Sequence, residues 1–97
     1  MRENPLSRQR LWATLLMLNT YLLCHRHAAE ECPVAFAAWH GFVSPLRGRN
    51  ALSSCPTGGH QIWWTVQAPD ETAALANLPG YLARRTQVVR VRHVNIP

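Results

Sequence analysis

The segment ALSSCPTGGHQIWWTVQA, residues 51–68, contains a Pro/Gly-rich turn between two β-prone runs. Its second run, His60–Ala68, places apolar and polar side chains alternately, with three large apolar residues at every second position. This alternation is typical of a strand with one buried face. The two runs on either side of the turn PTGG therefore predict a β-hairpin, with strands at Ala51–Cys55 and His60–Ala68.

Upstream of the hairpin, the pattern predicts a strand and then a helix. Thr20–His27 is rich in β-formers at its start and follows no helical period, which favours a first strand. Over Ala28–Phe42, apolar residues recur at steps of three and four, as on the buried side of an amphipathic helix. Pro33 is tolerated in the first turn of such a helix, and Gly41 is a typical stop signal.

Downstream, a second helix and a last strand are expected. Asp70 is a favourable N-cap, and the Pro79-Gly80 step predicts that the helix behind it kinks or breaks in two. Gln87–Val94 predicts the fourth strand. We expect Val89 and Val91 to face the core, with Arg90 and Arg92 on the opposite face.

The resulting order, strand–helix–strand–strand–helix–strand, predicts an α+β fold of the ferredoxin-like type. The expected sheet has four antiparallel strands in the order 4-1-3-2, with both helices on one face. Residues 20–97 form this domain. Residues 1–19 are interpreted as an N-terminal arm or a mis-annotated start extension, with a signal-like segment in residues 1–16 as the less favoured alternative.

The composition of the chain argues against nucleic acids and membranes as binding partners. The net charge of +5 comes from ten Arg and no Lys, and these are spread along the chain without a basic run, which argues against nucleic-acid binding. The apolar run at residues 11–24 is too short to span a bilayer, so no membrane association is expected. Three cysteines cannot form a complete disulfide framework, and reduced thiols are typical of a cytoplasmic protein.

Two motifs carry a resemblance: the hairpin GGHQIWW, residues 58–64, and the closing run ALANLPGYLARRTQVVRVRHVNIP, residues 74–97. With the strand and helix order, they resemble small uncharacterised bacterial proteins of ferredoxin-like, dimeric α/β-barrel type. The resemblance implies the fold and a homodimer. It leaves the function open among mono-oxygenases, muconolactone-type isomerases, nickel-binding proteins and dimerisation modules.

The predicted topology brings several metal-ligating side chains to one edge of the sheet. The end of strand one (His25, His27), the end of strand two (Cys55) and the start of strand three (His60) are expected to meet there. The start of the first helix, with Glu30, Glu31 and Cys32, is expected at the same edge. Thiolate and imidazole ligands suit Zn, Ni or Cu. Cys55 with His60 or His25 is also a candidate nucleophile and base. Cys24 and Cys32 are expected in the core.

The other candidate surface is the sheet face without helices. Trp63, with Arg90 or Arg92, is expected there and needs a cover, either a second copy of the chain or a small ligand. A non-enzymatic module that dimerises or binds a ligand through this face is the first hypothesis. A Ni- or Zn-binding protein is the second, and a small-molecule isomerase or mono-oxygenase is the third.

Overall fold

A computed structural model describes residues 18–97 of the chain, so residues 1–17, most of the predicted N-terminal arm, lie outside the described residues. Within residues 18–97, four strands and three short α-helices form an α+β domain. The elements are β1 (Asn19–Arg26), α1 (Cys32–Ala37), β2 (Leu52–Ser53), β3 (Gln61–Ala68), α2 (Glu71–Leu75), α3 (Gly80–Ala83) and β4 (Thr86–Val91).

The four strands form one antiparallel sheet in the order β2-β3-β1-β4, which reads 4-1-3-2 from the other edge. The two long strands lie in the middle, where Leu23 of β1 is directly opposite Trp64 of β3 and Val88 of β4. Residues directly opposite in an antiparallel pair point to the same face. The register therefore assigns every strand residue to one of two faces.

The face that carries Leu23 is covered by the helices. Its alternate residues are buried together with side chains from all three helical segments, which is the pattern expected of a sheet with one face against a core. The core consists of Tyr21, Leu23, Ala35, Ile62, Trp64, Val66, Ala68, Ala74, Leu78 and Leu82.

The first helix is shorter than its sequence pattern predicts. A single turn of 3-10 helix, Ala29–Glu31, leads into α1, which ends at Ala37. Beyond it, Trp39 and Phe42 continue the apolar period, yet the backbone bonds there run from each N–H to the carbonyl three residues back. Gly41 then takes a φ of +73°, which L side chains rarely adopt. The predicted helix over residues 28–42 is therefore wrong in length.

The second helical region divides where the sequence predicts. The Asp70 carboxylate accepts a hydrogen bond from the Ala73 N–H, at 2.8 Å, and so caps α2. α2 ends at Leu75, and Pro79 precedes the start of α3. Because proline lacks an N–H and fixes its own φ, the chain restarts a helix at Gly80 instead of extending the first one.

The predicted faces of β4 are wrong. Val88 lies opposite Leu23 and packs against the core, whereas Val89 is 37% exposed on the other face. Arg90 lies opposite Tyr21, on the helix-covered face, and its guanidinium donates to the Asn19 side-chain oxygen at 2.8 Å. The strand is displaced by one residue from its predicted alternation, and such a shift exchanges the two faces completely.

No element of the described part of the chain covers the second face of the sheet. This open face carries Leu22 and Cys24 of β1, Trp63 of β3 and Val89 of β4. None of the helices within residues 18–97 is long and apolar enough to cross a membrane.

Candidate metal centre

The end of β1 brings two imidazoles to the helix-covered side of the sheet. His25 and His27 continue the alternation of Tyr21 and Leu23 and are buried, at 1% and 4% exposure. Although the strand ends at Arg26, the His27 N–H still donates to the His60 carbonyl at 3.1 Å. This hydrogen bond holds the end of β1 against the residue that precedes β3.

The segment Cys55–His60 is a tightly bonded loop around Ser54. The Ser54 N–H donates to the Gln61 carbonyl at 2.9 Å, and the Gln61 N–H donates to Ser54 Oγ at 3.0 Å. The Ser54 carbonyl accepts from the N–H groups of Thr57 (3.0 Å) and Gly59 (2.8 Å). These bonds fix the separation of Cys55 and His60, the two ends of the loop.

The backbone of this loop is specialised at two positions. A Cβ on Gly59 would lie 2.7 Å from the Cβ of Ser54, closer than real side chains approach. His60 has a φ of +55° and is the only non-glycine residue with positive φ within residues 18–97. Such a conformation costs of order 1 kcal/mol or more, and it persists where the surrounding structure requires it. Here it directs the His60 ring toward His27, with the ring centroids 5.7 Å apart.

Cys32 enters the same space from the first residue of α1. The preceding residue, Glu31, is held from three sides: its carboxylate accepts from the Ala28 N–H at 3.0 Å and from the Tyr81 hydroxyl, and it pairs with Arg85 Nε at 3.2 Å. The Arg85 guanidinium also lies over the Tyr81 ring, 3.9 Å from its centroid. These contacts tie the start of α1 to α3 and set the position of Cys32.

Four side chains converge as a result. His27 Nε2 lies 2.9 Å from Cys32 Sγ and 3.4 Å from Cys55 Sγ. Cys32 Sγ lies 3.1 Å from His60 Nδ1. All four ligand atoms are within 4.8 Å of one another. We refer to His27, Cys32, Cys55 and His60 as the Cys2His2 cluster.

These separations fit one tetrahedral ion. With Zn–S of about 2.3 Å and Zn–N of about 2.0 Å, a tetrahedron places sulfur and nitrogen about 3.5 Å apart. The three S–N separations in the cluster, 2.9, 3.1 and 3.4 Å, are shorter than this distance. Binding one ion would lengthen the shortest of these contacts by about 0.6 Å and would shorten the widest separation in the cluster, up to 4.8 Å, by about 1 Å. Only His27 among the four is fully buried, so the site has a route to solvent.

His25 determines which nitrogen of His27 is free. His25 Nδ1 lies 3.3 Å from the Leu82 carbonyl and 3.3 Å from Thr86 Oγ1, and the Thr86 hydroxyl already donates to that carbonyl at 2.6 Å. Both neighbours therefore accept, so His25 Nδ1 carries the proton and its Nε2 is an acceptor. His27 Nδ1–H then donates to His25 Nε2 at 3.0 Å. This leaves the Nε2 lone pair of His27 directed at the two thiols.

The directions in which the pKa values of these residues shift agree with this assignment of the protons. Burial, and then the neighbouring His27, lower the pKa of His25. Burial, and then the charge of His60, lower the pKa of His27. Both imidazoles are therefore neutral at neutral pH, the form in which histidine binds metals. Burial raises the pKa of the Cys32 thiol, and the neighbouring Cys55 raises it further, so two close thiolates need a cation beside them.

The cluster differs by one residue from the set that the sequence suggests. His27, Cys55 and His60 come together as the topology predicts. His25 lies behind His27 and hydrogen-bonds to it, outside the four ligands. Cys32, expected in the core, takes the fourth position. Its place at the predicted start of the first helix, five residues after His27, is the sequence signal that points to it.

The other predicted surface is divided between two faces. Trp63 lies on the open face, opposite Cys24, whereas Arg90 lies on the helix-covered face. Arg92 follows the end of β4 and is exposed. These three residues therefore do not form a common face.

The fold and the cluster together define a small antiparallel α+β domain with a Cys2His2 group at one end of its sheet. No protein-family model, no curated protein and no solved structure gives a significant match to this chain.

Proposed function

We propose that the protein binds one Zn²⁺ ion through His27, Cys32, Cys55 and His60. The observation that carries the proposal is the convergence of all four ligand atoms within 4.8 Å. The hydrogen bond from His27 Nδ1 to His25 supports it, because metal-binding histidines commonly donate their second nitrogen to a neighbour that orients the ring.

The ligand set favours zinc over other metals. Two thiolates and two imidazoles in a tetrahedral arrangement form one of the standard ligand sets of structural Zn²⁺ sites. No carboxylate belongs to the cluster, whereas Mg²⁺, Ca²⁺ and Mn²⁺ prefer oxygen ligands. Ni²⁺ also binds imidazole and thiolate but prefers square-planar geometry with such donors, so we expect it to bind less well.

The role that this site supports best is structural. A catalytic zinc keeps one coordination position for water or substrate, whereas here the protein supplies all four ligands. The ion would join the end of β1, the start of α1 and the loop between β2 and β3. This closed set gives no reason to propose isomerase or mono-oxygenase chemistry.

Zinc titration of a matched pair of variants tests the proposal. Cys32→Ser removes one ligand, whereas Cys24→Ser changes a cysteine on the open face of the sheet. We expect the wild-type chain and Cys24→Ser to bind one Zn²⁺ per chain, measured by competition with a chromogenic chelator. Cys32→Ser should bind at least about tenfold more weakly. Equal affinities in Cys32→Ser and Cys24→Ser would contradict the assignment.

We also propose, as a second candidate function, that a ferredoxin-like domain of this kind forms a homodimer through its open sheet face. The element order and the helices on one face support the fold assignment. The strand residues of the open face include Leu22, Cys24, Trp63 and Val89 beside uncharged Thr and Gln side chains, and the one charged strand residue among them, Arg26, hydrogen-bonds to the side-chain oxygen of Gln61. A symmetric dimer brings a face against its own copy, so the scarcity of charge on it favours this occupant.

Sedimentation of the untagged full-length chain tests this second proposal. We expect a dimer for the wild type and a monomer for Trp63→Arg, because the substitution puts two guanidinium groups against each other at the centre of the interface. A wild-type monomer at high micromolar concentration would contradict it.

We also propose that the protein is located in the cytoplasm. Its three cysteines, which are all free thiols, support this location.

A further inference from the structure

A cleft of about 400 Å³ lies on the helix-covered side of the sheet, apart from the Cys2His2 cluster. It is bounded by the end of α1, the connecting segment 46–51, and β2 and β3. Its volume is within the range of small-molecule sites in proteins, roughly 300–1,000 Å³. None of the four cluster residues lines it.

The inner wall of the cleft is aromatic. Trp39 and Trp64 form a tilted pair with ring centroids 5.9 Å apart, and Ile62 continues the wall along β3. At the rim, the side chain of Phe36 in α1 is 56% exposed to solvent. Two tryptophans and an exposed phenylalanine around one concavity present flat apolar surface, which suits a planar ring.

Two arginines supply positive charge at the same opening. Arg47 and Arg49 line the cleft, and Arg47 donates to the Phe42 carbonyl at 3.2 Å, which holds it at the rim. Neither forms an ion pair with any of the acidic residues of the 18–97 range, and none of those acids lines the cleft. Arginine recognises carboxylate and phosphate groups through paired N–H donors and also stacks on aromatic rings.

The segment that carries the arginines is anchored to the domain. The Ser44 hydroxyl donates to the Asn77 carbonyl at 2.7 Å, and the Leu46 N–H donates to Ser44 Oγ at 3.1 Å. Leu46 itself packs against the core. These contacts fix the start of the segment at Leu46, so this wall of the cleft is formed in advance, as ligand sites usually are.

We propose that this cleft binds a small planar aromatic molecule that carries one anionic group. The ring lies against Trp39 and Phe36, and the carboxylate or phosphate pairs with Arg49, with Arg47 as a second donor. This proposal is independent of zinc binding, because it rests on residues outside the cluster.

Binding of 2-naphthoate to the full-length chain tests the proposal, with the neutral 2-naphthylmethanol as the matched probe. Calorimetry measures the affinity, and the indole N–H signals of Trp39 and Trp64 in NMR spectra report the place of binding. We expect saturable 2-naphthoate binding that shifts both signals, and weaker binding of the neutral probe.

Three surface variants separate the contributions. Arg49→Gln should weaken 2-naphthoate binding about tenfold and leave 2-naphthylmethanol unchanged, whereas Phe36→Ala should weaken both probes. Arg84→Gln, at an arginine outside the cleft, is the control and should change neither. No saturable binding, equal affinity for the two probes, an equal loss in Arg84→Gln, or NMR shifts away from both tryptophans would each overturn the proposal.

Discussion

His25 is the more buried of the two buried histidines, yet it lies outside the cluster. We propose that His25 accepts a hydrogen bond from His27 Nδ1–H and so fixes the orientation of the ring that binds the metal. We predict that His25→Phe, which keeps a ring of similar size beside Trp64, weakens zinc binding about 10- to 100-fold. The cause is a buried His27 N–H that loses its partner.

Chelator competition measures this loss, and Tyr21→Phe provides the control. Tyr21 is a buried aromatic residue on the same face of β1, so the variant changes the core without touching the cluster. Zinc affinity should be unchanged in Tyr21→Phe. Wild-type affinity in a folded His25→Phe chain would contradict the proposed orienting role.

The cysteines predict a pH dependence of zinc binding. Burial holds the pKa of Cys32 above its ordinary value, so its thiol is protonated at neutral pH in the free protein and must lose the proton on binding. The pKa of His27 is lowered, so that imidazole is already unprotonated above pH of about 6.5. Affinity should therefore rise with pH through the neutral range, with release of up to about two protons per ion.

Calorimetric titrations in two buffers with different ionisation enthalpies count the released protons. Cys32→Ser should release about one proton fewer than the wild type. Zinc binding at pH 7 with no proton release would mean that the thiols do not bind the ion.

Individual residues show where sequence reasoning succeeds. His27, Cys55 and His60 could be placed together because the strand order alone brings their positions to one end of the sheet. The same topology places Cys32 at this edge, but a cysteine on an apolar helix face is most often buried in the core, so the sequence does not identify it as a ligand. Arg90 was assigned to the wrong face because Val88 and Val89 are adjacent, and only pairing with β1 decides which of them faces inward.

The loop between β2 and β3 predicts a contrast between two neighbouring glycines. A methyl group on Gly59 meets the Ser54 side chain, which accepts a hydrogen bond from Gln61 and organises the loop. A methyl group on Gly58 meets nothing within 4 Å, although its φ of +88° disfavours other residues. Gly58→Ala should cost about 1 kcal/mol of unfolding free energy and keep zinc affinity. Gly59→Ala should cost more and also weaken zinc binding, since it displaces Cys55 and His60.

Urea unfolding and chelator competition on both variants measure these two effects. If Gly58→Ala and Gly59→Ala lost zinc affinity equally, the packing of Ser54 would not be what sets the ligand positions.

Among the elements, the long strands and the divided second helix could be predicted, because strict alternation and a Pro-Gly step have direct backbone consequences. The position at which α1 ends could not be predicted from the sequence. Trp39 and Phe42 keep a helical spacing, but they pack against Trp64 and against each other from turns. β2 is only two exposed residues long, and its pairing with β3 defines it more than its own sequence does.

At the scale of the molecule, the part described, residues 18–97, has a small core of ten buried apolar residues on one side of the sheet. A domain of this size buries a modest fraction of its surface, so the proposed ion, which would join three elements, would contribute much of its stability. At free zinc 100-fold above its dissociation constant, binding should add about 2.7 kcal/mol to the free energy of unfolding. For a domain of this length that corresponds to a rise in melting temperature of roughly 10–20 °C.

Thermal melts followed by circular dichroism, with zinc and with an excess of chelator, measure this rise. The Cys32→Ser chain should show a much smaller difference between the two conditions. An equal difference in the variant would place the stabilising zinc outside the cluster.

X-ray absorption at the zinc edge of the stoichiometrically loaded, untagged protein identifies the ligands of the proposed Cys2His2 zinc site. We expect four ligands, two sulfurs at about 2.3 Å and two imidazole nitrogens at about 2.0 Å. A shell of oxygen and nitrogen ligands without sulfur, or a chain that does not retain one zinc after dialysis, would contradict it.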